Sequence, residues 1–462
     1  MPSPGEFFNR LLAAPAVAQA QFAYTTNSDG ASITITGYTG FGGAVTIPEA
    51  IKGLAVTCIG TDAFYGNTSV TGLAIPASVT NIGGNSLLGC FSLTAITVDA
   101  NNPAYSSLQG VLFDKSQTTL IHYPCGVVGE YTIPGSVTSI GPAAFWDCTN
   151  LTGVMIPDSV TNIAGSAFQF TTLSSITIPN SVTNIGEGAF WECGLTNAII
   201  GSGVTGIEPW AFGYCGRLTS VYFQGNAPHV DTDAFIGDTK ATLFYVPCTF
   251  GWGSTFSGLS AVSEGLGYTT NAGVITITAY SNSCPDVIIP ATINLLAVKS
   301  IGPNAFENLP NLSSVTIAAS VTSLRYALFT ESSNLTSVYF QGNAPAVVGN
   351  PYDGPVFYGN KSLTVYYLPG TTGWSNTFEG VPAVPWNPLV QTGGGRFGVQ
   401  NGQFGFDIEG TAGIPIVVEG CTNLAKPVWT RLTNGMLTGG LFHFSEPAQA
   451  EGPGRFYRIS SP

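Results

Sequence analysis

Charged residues are scarce in this chain of 462 residues. They make up 8% of it, and 13 lysines and arginines stand against 26 aspartates and glutamates. No basic patch is visible, and the acidic balance argues against a nucleic acid or an anionic membrane surface as the partner. Apolar residues make up 44% of the chain, whereas disordered chains are rich in charge and poor in apolar residues. The sequence therefore predicts a folded protein with a mainly neutral surface.

Sequence motifs of catalytic and metal sites are also lacking. The chain has no CxxC, HExxH or GxSxG spacing and no glycine-rich phosphate loop. Its three histidines, His122, His229 and His443, lie far apart, and a stacked repeat brings only neighbouring copies together. We therefore expect no catalytic residues, no bound metal and no cofactor.

No apolar run approaches the length of about 20 residues that spans a membrane. Residues 11–20 are apolar and end in Ala18-Gln19-Ala20, which is similar to the end of a secretory signal. Glu6 and Arg10 precede this stretch, so its positive charge is weak. Residues 1–20 are thus expected to be a signal-like or a disordered segment, and the protein is expected to be secreted or held at the cell surface.

Internal repetition is the strongest signal, and a period of about 20 to 50 residues indicates a stacked architecture. Four consecutive copies follow the pattern IPxSVTxIGxxAFxxCxxLTxVxI at steps of 22 or 23 residues. These copies start at Ile133, Ile156, Ile178 and Ile200.

A longer repetition is laid over the short one, because YTTN and VYFQGNAP each occur twice. The paired segments are 24–27 with 268–271 and 221–228 with 338–345. We therefore divide the repeats into two related blocks, residues 21–262 and 263–386.

The spacing of apolar residues in each copy predicts a short strand with alternate side chains pointing inward, as at Leu218, Val221 and Phe223. One copy cannot bury these residues alone, so neighbouring copies must stack them into internal ladders. The sequence predicts a β-rich solenoid of parallel stacked short strands that form a curved sheet.

The pattern resembles the BspA-type leucine-rich repeats of bacterial surface and secreted proteins. The resemblance covers about residues 21–386. It implies a leucine-rich repeat solenoid, and it implies adhesion or protein binding at a cell surface, with no catalytic residue and no cofactor. Repeat scaffolds host many partners, so the fold follows from the resemblance more directly than the function does.

After Pro385 the repeat pattern stops, and residues 387–462 show short alternating segments between turn residues, such as Phe404–Ile408 and Leu441–Phe444. This pattern predicts a small C-terminal β-sandwich-like domain. The alternative is a cap over the exposed end of the solenoid. The segment is longer than a simple cap requires, which favours a separate domain.

Cys90, Cys148, Cys193 and Cys215 occupy the same repeat position. They are expected to form a buried column of small apolar side chains. A disulfide between Cys193 and Cys215 is the alternative, whereas Cys148 has no expected partner because the next copy carries Phe170 near that position.

The best candidates for partner binding are outward-facing strand positions, since solenoids commonly bind along such a face. A solvated surface with no binding role is the alternative. Three tryptophans on the turns beside the Ala-Phe pair, Trp146, Trp191 and Trp210, are further candidates. The candidate strand residues are Met155, Thr177, Asn197, Ser220, Tyr222, Ser337 and Tyr339.

Three functions are compatible with these observations. The first is a non-enzymatic, secreted or cell-surface adhesion protein, expected to be a monomer, whose sheet face holds a protein or glycan partner. The second is a structural spacer that displays or anchors the C-terminal module. The third is a hydrolase with an unrecognised site.

Overall fold

The computed structural model describes residues 21–230, 233–249, 251–350, 352, 354–393, 396–422, 429–448 and 454–460. The signal-like segment 1–20 lies outside these residues. The chain forms two compact units, Met1–Leu218 with Thr232–Thr239, and Thr219–Asp231 with Lys240–Pro462. The fold is a β-solenoid of leucine-rich repeat coils, as the sequence predicts, and the described residues contain no α-helix.

The first unit begins with an antiparallel hairpin that continues into parallel strands. One sheet contains Phe22–Thr26, Ser32–Tyr38, Leu54–Ile59, Ala50–Ile51 and Asn81–Ile82. Another sheet contains Gly43–Thr46, Val70–Ile75 and Ala95–Val98. A second hairpin, Tyr105–Leu108 with Val111–Asp114, leads through strand Thr119–His122 into a ladder of two-residue strands, one per coil. The two-residue strands are Ser139–Ile140, Asn162–Ile163, Asn184–Ile185 and Gly206–Ile207.

The longer strands of the same coils pair in parallel and carry the predicted binding face. They are Gly129–Thr132 with Leu151–Met155, and Ser175–Ile178 with Asn197–Ile200. Between the two strands of each coil lies a turn that carries the Ala-Phe pair. The phenylalanine rings of successive turns stack face to face, with centroids 4.8–5.2 Å apart. This column of Phe145, Phe168, Phe190, Phe212 and Phe235 is the centre of the core.

Close approach of successive coils explains the glycine of the repeated Ile-Gly pair. A Cβ atom on Gly186 would lie 2.6 Å from the backbone nitrogen of Gly165, and one on Gly83 would lie 2.3 Å from that of Thr61. Neither glycine needs a left-handed backbone, so the requirement is one of space between coils. In these coils glycine stands where one backbone passes close to the next, whereas Ala164 and Glu208 occupy the same repeat position in two other coils.

The second unit repeats this architecture. Its strands Ser220–Phe223, His229–Val230, Thr242–Tyr245, Leu259–Ser263 and Thr255–Phe256 precede a hairpin whose register matches that of the first hairpin. Both hairpins carry a bulge, before Tyr24 and before Tyr268. The hairpin sheet contains Leu266–Asn271, Val274–Tyr280, Thr292–Ile293, Leu296–Ile301, Ser323–Arg325 and Ala346–Val348. The other sheet contains Asp286–Ile289, Ser314–Ile317, Ser337–Phe340, Thr364–Tyr367, Val381–Pro385 and Thr377–Phe378.

The C-terminal residues form two antiparallel sheets, as expected for a β-sandwich-like module. One sheet contains Leu389–Gln391, Gly398–Gln400, Gln403–Glu409 and Leu441–Pro447, and the other Pro415–Cys421, Thr430–Met436 and Phe456–Ser460. Phe406 and Phe444 of the first sheet share a buried cluster with Ile416 and Val418 of the second. The domain boundaries stay a prediction, as does independent folding of residues 387–462.

Candidate functional site

The sheet face of the first unit alternates as the sequence predicts. On strand Ser175–Ile178, Ile176 and Ile178 are buried while Ser175 and Thr177 are exposed. In the neighbouring strand Asn197 lies directly beside Ser175, and it is half-buried. Met155, at the end of its strand, is 64% exposed. We call the surface formed by Met155, Ser175, Thr177 and Asn197 the sheet face.

Two further candidates lie in the second unit and are half-buried. Ser220 and Tyr222 project from the same side of strand Ser220–Phe223, whose alternate residues Val221 and Phe223 are buried. The ring of Tyr222 lies nearly parallel to that of Phe244 on the neighbouring strand, with centroids 5.1 Å apart. This stacking covers one face of the tyrosine.

The expectation that Tyr339 is exposed is wrong. Its side chain is only 5% exposed, and its ring stacks on Tyr366 within a cluster that includes Phe406 and Ile414 of the C-terminal module. Two hydrogen bonds join the module to the second block, from Tyr366 Oη to the Gly413 carbonyl (3.3 Å) and from Trp386 Nε1 to the Pro415 carbonyl (2.9 Å).

Strand alternation does point Tyr339 away from the solenoid core, but the C-terminal module covers this side of the strand. Ser337, on the same strand, is half-buried. Partner binding by these residues stays a prediction.

A second surface of the first unit consists of exposed and half-buried aromatic rings on the turns that carry the Ala-Phe pair. We call it the aromatic ridge, and its residues are Trp146, Phe170, Trp191, Trp210 and Tyr214. Trp146 meets Phe170 edge to face, while Trp191 contacts both Trp210 and Tyr214. Trp210 is 41% exposed and Tyr214 is 49% exposed. Large apolar side chains exposed together are a common mark of an interaction surface.

Carboxylates accompany these rings. Glu192 accepts a hydrogen bond of 3.0 Å from the indole nitrogen of Trp191, and Asp147 directly follows Trp146. Partial burial raises the pKa of Asp147. The four ridge turns, residues 141–149, 164–172, 186–194 and 208–216, contain Asp147, Glu187, Glu192 and Glu208 but no lysine or arginine.

The cysteine column is a column of hydrogen-bond donors. Cys193 and Cys215 are free thiols, and they donate to the backbone carbonyls of Phe168 (2.8 Å) and Phe190 (3.1 Å) in the preceding coils. Burial raises the pKa of both thiols, that of Cys193 to about 12, which keeps the donor protonated. The alternative of a disulfide between Cys193 and Cys215 is therefore wrong.

Cys148, for which the sequence offered no partner, is bonded to Cys125, and a second disulfide joins Cys248 to Cys284. Cys125 belongs to the hairpin-bearing segment that precedes the regular repeats. The repeat pattern alone did not place it beside Cys148, because that segment departs from the repeat spacing.

His122 and His443 lie in different sheets. His122 is buried, and burial lowers its pKa to about 4. His443 Nδ1 contacts Asp407 Oδ1 at 2.7 Å on an exposed sheet of the C-terminal module. No group of three or more His, Cys, Asp or Glu side chains that could hold a metal ion occurs among the described residues. In the same part of the chain, no helix is long and apolar enough to span a membrane.

Sequence reasoning identified three residues of the aromatic ridge and missed Phe170 and Tyr214. An alignment of the four copies contains the signal, because Phe170 and Tyr214 occupy the position held by Asp147 and Glu192 in the other two. Asp238 was also missed; it follows Cys215 by 23 residues and takes the next place in the donor column.

The profile of the BspA type leucine rich repeat region matches this chain in six copies, over residues 42–127, 120–242 and 270–372. No curated protein is similar to it in sequence.

Three solved structures of bacterial proteins are similar to the chain. The pneumococcal vaccine antigen PcpA shares 16% identity over 65% of this chain and 61% of its own, with a TM-score of 0.37. A leucine-rich repeat protein from Eubacterium ventriosum shares 20% identity over 69% and 64%, with a TM-score of 0.31. A leucine rich cell surface protein from Faecalibacterium prausnitzii shares 23% identity over 76% and 88%, with a TM-score of 0.29. The chain thus spans less than two thirds of the length of the first two.

Proposed function

Because the chain belongs to the BspA-type leucine-rich repeat family, we propose that it is a non-enzymatic adhesion protein, secreted or held at the cell surface, whose sheet face holds a protein or glycan partner. The observation that carries the proposal is the separation of roles along strand Ser175–Ile178. Its inward residues Ile176 and Ile178 are buried in the core. Ser175 and Thr177 take no part in that packing, and both are exposed. Such a face tolerates changes of side chain without loss of the fold, as a recognition surface must.

The two disulfides support a location outside the cytoplasm, because such bonds persist in oxidising compartments. The acidic balance of the chain supports a partner other than nucleic acid. The family is built of stacked repeats, and such repeats present extended surfaces that commonly bind partners.

The test is an array of glycans and extracellular-matrix proteins, probed with the full chain and with two variants. Thr177→Arg places a long charged side chain at the middle of the sheet face, where it should abolish binding. Asn101→Arg is the matched control, because Asn101 is an exposed residue in a turn of the same unit, outside the strands that form the sheet face. Binding that survives Thr177→Arg, or a full chain that binds nothing on the array, would overturn the proposal.

A second candidate function is that of a spacer that anchors the C-terminal module. The packing of the module on Tyr339 and Tyr366 favours it, since this contact would fix the module to the second block. In that case Thr177→Arg should leave attachment to cells unchanged, whereas Tyr366→Ala should loosen the module and weaken attachment.

A further inference from the structure

Three rings of the aromatic ridge meet at steep angles, and two of them, Trp210 and Tyr214, are exposed. The centroid of Trp191 lies 4.8 Å from that of Tyr214 at an interplanar angle of 59°, and 5.9 Å from that of Trp210 at 77°. Glu192 lies at the edge, held by the indole N–H of Trp191. We call Trp191, Trp210, Tyr214 and Glu192 the ring cluster.

Glycine makes room for this arrangement. A Cβ atom on Gly213 would lie 2.9 Å from the six-membered ring of Trp191, and one on Gly237 would lie 2.8 Å from the ring of Tyr214. The two rings therefore lie over backbone that carries no side chain. Any larger residue at either glycine would push the neighbouring ring away from its present place.

Two rings of the cluster are held on backbone that is unfavourable for them. Trp210 has φ of 60° and Tyr214 has φ of 56°, in the left-handed region where bulky residues are rare. The same turn positions have positive φ in the other coils as well, where they carry Ala143, Ser166 and Gly188 or Asp147, Phe170 and Glu192. The left-handed backbone is therefore a property of the turn, whichever residue occupies it.

The charge around the rings selects the ligand. The ridge turns contain carboxylates and no cation, and the first cationic side chain after them is Arg217. A cation is attracted to the faces of several rings at once and to a carboxylate beside them. A flat sugar ring favours one extended aromatic platform, whereas these three rings are tilted against one another.

We propose that the ring cluster binds the charged end of a lysine or arginine side chain on a cationic polypeptide partner. The ammonium or guanidinium group lies against the faces of Trp191, Trp210 and Tyr214, and the Glu192 carboxylate accepts a hydrogen bond from it. The site belongs to the turns of the solenoid, so it does not depend on binding at the sheet face.

The test measures fluorescence anisotropy of a labelled peptide rich in lysine, titrated with the full chain at two salt concentrations. The same peptide with every lysine acetylated keeps the aliphatic stems and loses the charge. We expect the lysine peptide to bind and the acetylated one to bind at least about tenfold more weakly. Equal binding of the two peptides would overturn the proposal.

Substitutions test whether the lysine peptide binds at the ring cluster. Trp210→Gly introduces the residue that the adjacent coil already uses at this position, and Glu192→Gln keeps an oxygen acceptor for Trp191 while removing the charge. Each substitution is expected to weaken binding of the lysine peptide about threefold to thirtyfold. Asp158→Asn removes one carboxylate from an exposed turn of the same unit outside the ridge, and Tyr65→Ala removes an exposed ring outside the ring cluster.

Both controls should bind like the unmodified chain. Equal weakening by Asp158→Asn and Glu192→Gln would indicate attraction to the overall negative charge, and it would overturn the proposal. A second outcome would also overturn the proposal: the lysine peptide does not bind, while a neutral glucose oligosaccharide binds and Trp210→Gly abolishes that binding. Circular dichroism of each variant shows whether the solenoid is intact, and Glu192→Gln remains decisive should Trp210→Gly fail to fold.

Discussion

Asp238 provides the sharpest test of the packing described above. It is 2% exposed, and neither of its carboxyl oxygens has a hydrogen-bond partner. Its place in the donor column is held by a thiol in the preceding coils and by Ser332 and Asn360 in the second unit, each of which donates to a phenylalanine carbonyl. A carboxyl group can act as such a donor only when it is protonated. Burial raises the pKa of Asp238 from 3.8 to about 8, in the direction that keeps the proton.

The sign of the pH dependence follows from this shift. The folded state holds the proton of Asp238 more tightly than the unfolded state, so the contribution of Asp238 to the free energy of unfolding is most favourable below about pH 4 and falls as the pH rises toward about 8. At pH 7 the cost reaches at most about 4 kcal/mol, because each pH unit between the two pKa values is worth about 1.4 kcal/mol. Relaxation and water entry reduce such costs, so we expect about 2 kcal/mol.

Asp238→Asn should remove this cost. The amide donates without titrating, as the side chain of Asn360 does to the Phe329 carbonyl at 2.7 Å. Thermal melting followed by circular dichroism at pH 4, 5, 6, 7 and 8 should give a similar Tm for both chains at pH 4, and the difference should widen as the pH rises. At pH 8 the variant should be the more stable one by several degrees. Asp158→Asn, at an exposed turn, is the control. Melting curves of Asp238→Asn that run parallel to those of the unmodified chain at every pH would refute the reasoning.

Three further predictions concern stability. Phe190→Ala, in the middle of the stacked phenylalanine column, should lower the free energy of unfolding by about 3–5 kcal/mol, whereas Phe41→Ala at a fully exposed ring should change the Tm little; a small effect at Phe190 would contradict the packing. Replacing Cys125 and Cys148 together by serine should cost about 3 kcal/mol, because their disulfide closes a loop of 23 residues; an unchanged denaturant midpoint would show that the bond does not form. Tyr339→Phe should leave the protein as stable or stabilise it by about 1 kcal/mol, because the buried hydroxyl has no hydrogen-bond partner; a clear loss of stability in urea unfolding would reveal a partner for that hydroxyl.

The repeat period determined most of the fold. Because side chains alternate along a strand and recur every 22 or 23 residues, inward positions such as Ile176, Ile178 and Phe190 could be identified as core residues from the sequence. The same alternation identified Met155 and Thr177 as outward residues, and both are exposed. Local spacing is sufficient here because each coil packs mainly on its immediate neighbours.

Contacts outside the repeat period were decided by the tertiary structure alone. Tyr339 has the same strand position as Tyr222, yet it is buried because the C-terminal module packs on its side of the second block. Cys148 bonds to Cys125 because the irregular hairpin segment brings that cysteine into the adjacent coil. The tilt of Trp191 against Trp210 and Tyr214 depends on backbone angles and on two glycines in neighbouring turns. The sequence states which residues recur at one position, while the ring angles, the covering module and the unpaired carboxyl of Asp238 depend on packing in three dimensions.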